Sequence, residues 1–145
     1  MKQSLVLLLL FTLSISAAHA QSSCAKLIPL CKTSFIEDYS WDGRYWRAEL
    51  YNNERTEVYY TFFKGLRYRL IPCGSSDEKS PLRMRIYNAN HVPLLDTGTQ
   101  NARPYWDLEL SSTQLLIIEL YYPAGSGCAA LIIGHKASDA IASKE

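Results

Sequence analysis

From Arg44 to His135 the hydrophobic and polar positions repeat every two residues. Arg44 to Tyr51 places Trp46, Ala48 and Leu50 on one side and Tyr45, Arg47 and Glu49 on the other. Glu57 to Phe63 is rich in β-branched and aromatic residues. Leu66 to Cys73 alternates Leu66, Tyr68 and Leu70 against Arg67 and Arg69, and Leu82 to Tyr87 alternates Leu82, Met84 and Ile86 against Arg83 and Arg85. Val92 to Leu95 is a short strand, and Pro104 to Leu110 sets Trp106, Leu108 and Leu110 opposite Asp107 and Glu109. Gln114 to Tyr122 and Cys128 to His135 are nearly unbroken apolar runs, the pattern of central strands covered on both faces. Turn residues stand between these runs, among them Asn52-Asn53, Lys64-Gly65, Asn88 to His91 and Pro123 to Gly127. About eight short strands without a βαβ rhythm predict an all-β fold, an antiparallel, jelly-roll-like β-sandwich in a single domain.

The ends read differently. Lys2, the apolar run Leu5 to Phe11 and the small residues up to Ala18-His19-Ala20 form the pattern of a secretory signal peptide over residues 1–20. Residues 21–43 predict an irregular segment, with one turn over Thr33 to Asp38. The sandwich is expected over 44–136 and a flexible tail over 137–145. Nothing after the signal approaches the roughly 20 apolar residues of a membrane span. The chain has 145 residues, 15 Lys+Arg and 14 Asp+Glu. Removing Lys2 with the signal leaves 15 − 1 = 14 cations against 14 anions over about 125 residues. A balanced charge removes bulk electrostatics as a reason to bind nucleic acid or an anionic membrane.

Four cysteines remain after the signal, Cys24, Cys31, Cys73 and Cys128. An even count in an exported chain predicts disulfides. A metal site is the weaker alternative, because there is no C-x-x-C and His91 and His135 lack ligand spacing. The favoured pairing is Cys24–Cys31 with Cys73–Cys128, the second joining two adjoining strands. A continuous helix between Cys24 and Cys31 would hold them about 10 Å apart, out of reach, so this pairing requires a non-helical segment there.

Over Glu57 to Lys136 the chain resembles small exported proteins of Gram-negative bacteria that share the layout of the pre-peptidase C-terminal type of jelly roll. The resembling stretches are Phe63 to Cys73, Leu82 to Tyr87, Tyr105 to Leu110 and Gly127 to Gly134. The resemblance implies a sandwich that serves as an accessory or binding module and carries no common active site. The calcium ligands of some related modules do not map onto this sequence.

Candidate chemistry is sparse. There is no G-x-S-x-G, and His91 and His135 read as solvated. Asp107 and Glu109 share one strand face about 6–7 Å apart, a spacing compatible with a glycosidase pair; an ion ladder with strand arginines explains them more simply. If strands 66–73 and 82–87 are neighbours, Arg67, Arg69, Arg83 and Arg85 form one patch suited to an acidic polysaccharide. Tyr39, Trp41 and Tyr45 cluster beside Asp42-Gly43 and suit contact with a sugar or a protein. These residues point to an exported, non-catalytic binding or accessory module for a glycan, cell-surface component or protein, with no cofactor. A periplasmic proteinaceous enzyme inhibitor is the alternative, and a small hydrolase using Asp107 and Glu109 ranks below it. Trp106 is predicted to be core, so Trp106→Ala should cost about 3–5 kcal/mol in chemical denaturation; a loss under about 1 kcal/mol would mean that its face is assigned wrongly.

Overall fold

The computed structural model describes residues 23–31, 33–75, 80–99 and 103–139. The expected signal peptide and the end of the expected tail lie outside the described residues. The described chain forms eight strands: β1 (Trp46–Leu50), β2 (Arg55–Phe62), β3 (Leu66–Gly74), β4 (Arg83–Asn88), β5 (Pro93–Asp96), β6 (Trp106–Glu109), β7 (Gln114–Tyr121) and β8 (Gly127–Ala137). β8 runs one residue beyond the expected domain end. Past it, Ser138 donates its N–H to Gly65 O, and Asp139 pairs with Arg67.

The strands make two antiparallel sheets, ordered β1-β8-β3-β6 and β2-β7-β4-β5. First pairs with last, second with seventh, third with sixth and fourth with fifth. This is a long hairpin folded over itself, closed by the β3–β8 and β4–β7 pairings into a jelly roll. Local chemistry agrees with the path. Asn52 and Asn53 both adopt positive φ, 34° and 65°, at the β1–β2 turn. Pro72 stands opposite Leu131, in the half of the β3 ladder whose N–H groups point away from β8, so it removes no β3–β8 hydrogen bond.

One core fills the space between the sheets, built from Leu50, Phe62, Tyr68, Leu70, Met84, Ile86, Trp106, Leu116, Ile118, Leu120, Tyr122, Ala129 and Leu131. Trp106 is buried there, whereas Trp46 only packs against its border. A second core lies on the opposite face of β3 and β8, where Ile71, Cys128, Ala130 and Ile132 point outward. The segment expected to be irregular covers it. A 3-10 turn over Ser23–Lys26 leads into a short helix α1 (Leu27–Leu30), and a second 3-10 turn spans Thr33–Ile36. Cys24, Leu27, Cys31, Ile36 and Tyr39 face down onto the sheet. The contact is close enough that a Cβ on Gly134 would lie 2.6 Å from Ile36 Cδ1.

This strap corrects the disulfide pairing. The bonds are Cys24–Cys128, with Cα atoms 5.3 Å apart, and Cys31–Cys73, at 5.6 Å. Cys73 and Cys128 do lie on adjoining strands and on one face, but Cys73 stands opposite Ala130, so Cys128 is its diagonal neighbour. Diagonal neighbours sit about 7–8 Å apart, beyond ordinary disulfide reach. The near-helical path from 23 to 30 separates Cys24 from Cys31 and sets one above each strand cysteine. Peptide mapping without reductant should recover Cys24 linked to Cys128 and Cys31 linked to Cys73. A peptide joining Cys24 to Cys31 would refute the path of the strap.

Candidate functional site

After Tyr39 the strap leaves the sheet face and meets the edge of β8. Ser40 donates its N–H to His135 O at 2.7 Å, and His135 donates back to Ser40 O at 3.0 Å. The chain rejoins the edge at Trp46, opposite Leu131. Residues 41–45 swing outward between these points. Asp42 and Gly43 make the loop possible: Gly43 takes φ +82°, and Asp42 Oδ1 accepts from the Arg44 N–H at 2.9 Å. Trp41 Nε1 donates to Arg44 O at 2.6 Å, so the loop satisfies itself instead of extending the ladder. The Arg44–Asp42 ion pair is solvent-exposed and adds little.

Behind the loop a cleft of about 680 Å³ opens between β1 and β2, the edge strands of the two sheets on this side. Its floor is apolar, formed by Val58, Tyr60, Leu131 and Ile133. Trp41, Tyr45 and Trp46 form the rim, with His135 and Ser40 at one end. Tyr45 is 40% exposed, enough to offer a ring face. The floor continues inward as edge-to-face rings, Tyr60 on Phe62 and Phe62 on Tyr68 at 5.1 and 4.6 Å. Burial pushes the Tyr60 phenol above its ordinary value.

The structure separates the residues that sequence grouped. Trp41 and Tyr45 line the cleft, but Tyr39 does not. Its buried ring lies under the strap, 4.5 Å from the Arg69 guanidinium and 5.0 Å from the Lys136 ammonium. The four arginines do not form one patch. β3 and β4 belong to different sheets, because the jelly-roll path sends consecutive strands across the sandwich, so Arg67 and Arg69 lie on one outer face and Arg83 and Arg85 on the other.

All four are engaged. Arg67 holds Glu109 at 3.3 Å and Asp139 at 2.9 Å. Arg69 grips Asp107 bidentately at 2.7 Å twice and donates to Phe35 O at 2.9 Å. Arg83 donates to Thr97 O at 3.1 Å. Arg85 bridges Asp96 at 2.7 Å and the buried Glu119 at 3.4 Å, where Arg55 also arrives at 3.1 Å. Asp107 and Glu109 are thus the anionic half of a cross-strand ion ladder. The Arg69 hydrogen bonds hold the Asp107 carboxyl below its ordinary value, the opposite of what a general acid needs. Among the described residues no cluster of three or more His, Cys, Asp or Glu could hold a metal ion.

Sequence reasoning missed Val58, Tyr60, Ile133 and His135 as cleft residues. Their common signal is topological. Only the pairing of the first strand with the last, and of the second with the seventh, brings them to one edge.

No family model matches the chain, and no curated protein matches it in sequence. Among solved structures it is similar to PliG from Aeromonas hydrophila, a periplasmic lysozyme inhibitor of g-type lysozyme. The TM-score is 0.50 and the identity 6%, over 64% of this chain and 85% of that one. At this identity the likeness is one of fold.

Arg69→Met should raise the Asp107 titration above its native position, because the hydrogen bonds that lower it are lost. The native pair stabilises the fold fully above the ordinary unfolded carboxylate value and loses its contribution as pH falls through the lower native value. The variant should lack that acid-side loss, as read by a carboxyl NMR titration and by urea denaturation at neutral and acid pH. Coincident Asp107 titrations in both proteins would show that the pair is inert.

Proposed function

We propose that the chain is an exported, non-catalytic module of the inhibitor kind, and that the cleft at the β1–β2 edge receives a protein partner. The observation that carries this reading is the cleft itself, an apolar floor beside an aromatic rim in which Tyr45 is exposed and Trp41 and Trp46 are half-buried. Its floor offers Val58, Leu131, Ile133 and the Tyr60 ring to an apolar side chain, with the Tyr60 hydroxyl as its one side-chain hydrogen-bonding group. Trp41 and Tyr45 are the anchor type that dominates protein interfaces. Two disulfides suit an oxidising compartment, in line with the signal-like first 20 residues. The accessory-module resemblance and the sandwich shared with a periplasmic inhibitor point the same way.

A saccharide is the second reading, since Trp41 and Tyr45 have ring faces on which a pyranose could stack and Asp42, Arg44 and His135 line the cleft with polar groups. The two readings separate in one experiment. The oxidised protein, without residues 1–20, is titrated with g-type and other lysozymes and with N-acetylated oligosaccharides, following binding and lytic activity. The expected result is binding to a lysozyme that weakens at least about tenfold in Trp41→Ala, as for an interface anchor, and is unchanged in Arg83→Gln. Trp41-dependent binding of the oligosaccharides without any protein binding would overturn the proposal.

A further inference from the structure

The cleft holds a gap in the edge of a sheet, and the gap has a defined hydrogen-bonding character. β8 advances four positions from Leu131 to His135, while the neighbouring chain advances six from Trp46 back to Ser40, so residues 41–45 loop out. No strand residue stands opposite Ile133 on this side among the described residues. The direction of its backbone follows from the ladder. His135 exchanges both hydrogen bonds with Ser40, so its N–H and C=O point to the β1 side. The β3–β8 register is unbroken from Leu66↔Ala137 to Gly74↔Ala129, so residues two apart point alike. On the other side, Cys128 O accepts from the Ser75 N–H at 3.0 Å, as expected if even-numbered residues of β8 face β3. Ile133 therefore directs one donor and one acceptor into the cleft, while its half-buried side chain packs inward against the core.

We propose that the cleft takes an extended segment of the partner protein as a short added strand that bridges the backbone of Ile133. This rests on the reading of the cleft as a protein-binding site. An extended residue presents its own N–H and C=O on one side and so matches both groups of Ile133. The trans acetamido group of an N-acetylated sugar directs its N–H and C=O in opposite directions and satisfies one at most. Directly opposed residues share a face, so the bridging side chain follows that of Ile133 toward Val58 and Tyr60. It must be apolar. The neighbouring residues of the segment turn the other way and run under the rim of Trp41 and Tyr45.

The test is selection of short random peptides on the oxidised protein without residues 1–20, with Trp41→Ala as counter-selection. Selected peptides are resynthesised with single N-methyl groups along their length. The expected result is one apolar position at which N-methylation or alanine weakens binding at least about tenfold, the loss of a hydrogen bond or an anchor. N-methylation at its immediate neighbours should be tolerated, and the Ile133 amide should gain protection from hydrogen exchange. Ile133→Pro, which removes the donor without a β3–β8 ladder bond, should lose the peptide; the N-methyl scan decides the matter even if that variant folds poorly. Peptides that depend on Trp41 but tolerate N-methylation everywhere, with Ile133 exchange unchanged, would overturn strand addition and leave the protein-binding reading standing. Absence of any Trp41-dependent peptide, with oligosaccharides bound at Trp41, would overturn both.

Discussion

Covering the outer face of β8 is the constraint from which the rest of this architecture follows. A central strand of a two-layer sandwich has one face on the core, and its other face must either be polar or be buried. β8 is apolar on both, and Ala130 and Ile132 are fully buried on the outer side. Burying a large apolar side chain contributes about 1.5–3 kcal/mol, but a four-residue helix and two 3-10 turns are too short to dock on propensity alone. The two disulfides close loops of 104 and 42 residues in sequence separation. In the chain-entropy model such loops are worth about 4–5 kcal/mol each when taken singly. They replace the backbone ladder that the strap does not make.

Arginine completes the cover. Arg69 lies 3.8 Å from the Tyr105 ring and 4.5 Å from that of Tyr39, pairs with Asp107 and donates to a strap carbonyl. One guanidinium thereby ties the strap, β3 and β6 together. The second sheet repeats the device. Arg85 joins Asp96 and Glu119 and lies 4.5 Å from the Tyr121 ring, so a carboxylate only 8% exposed is satisfied on a sheet face. A planar five-donor group that also stacks on aromatic rings suits this task, and lysine would not replace it. These arginines are therefore committed to holding the faces of the sandwich.

The strap also creates the site. Having crossed the face of β8, the chain must turn the sheet edge to become β1, and it does so through Ser40 and the self-braced loop that follows. An exposed sheet edge invites unwanted pairing. On the β1 side of β8, among the described residues, the ladder is interrupted at Ile133, between the pairings of Leu131 with Trp46 and of His135 with Ser40. Cover and cleft are consecutive parts of one segment, so the bonds that anchor the first also place the second.

The strands and the class of fold were legible in the residue pattern. Alternation at period two and turn residues such as Asn52-Asn53 are local signals, and β7 and β8 were recognisable as central because both their faces are apolar. Oxidised cysteines and the inward face of Trp106 were legible for the same reason. Partnership was not. Cys24 meets Cys128 across 104 positions, and nothing near either residue encodes the path of the strap. Arg67 and Arg83 look equivalent in their strands, yet the jelly-roll path sets them on opposite faces. Val58 and Tyr60 stand in a β-branched and aromatic run and Ile133 in an unbroken apolar one, and their place at an edge where the neighbouring chain has looped away is visible in the fold alone. Side-chain alternation is a property of each strand alone, while strand order, register and the gap in the edge are decided by long-range pairing that buries both faces of β8 at once.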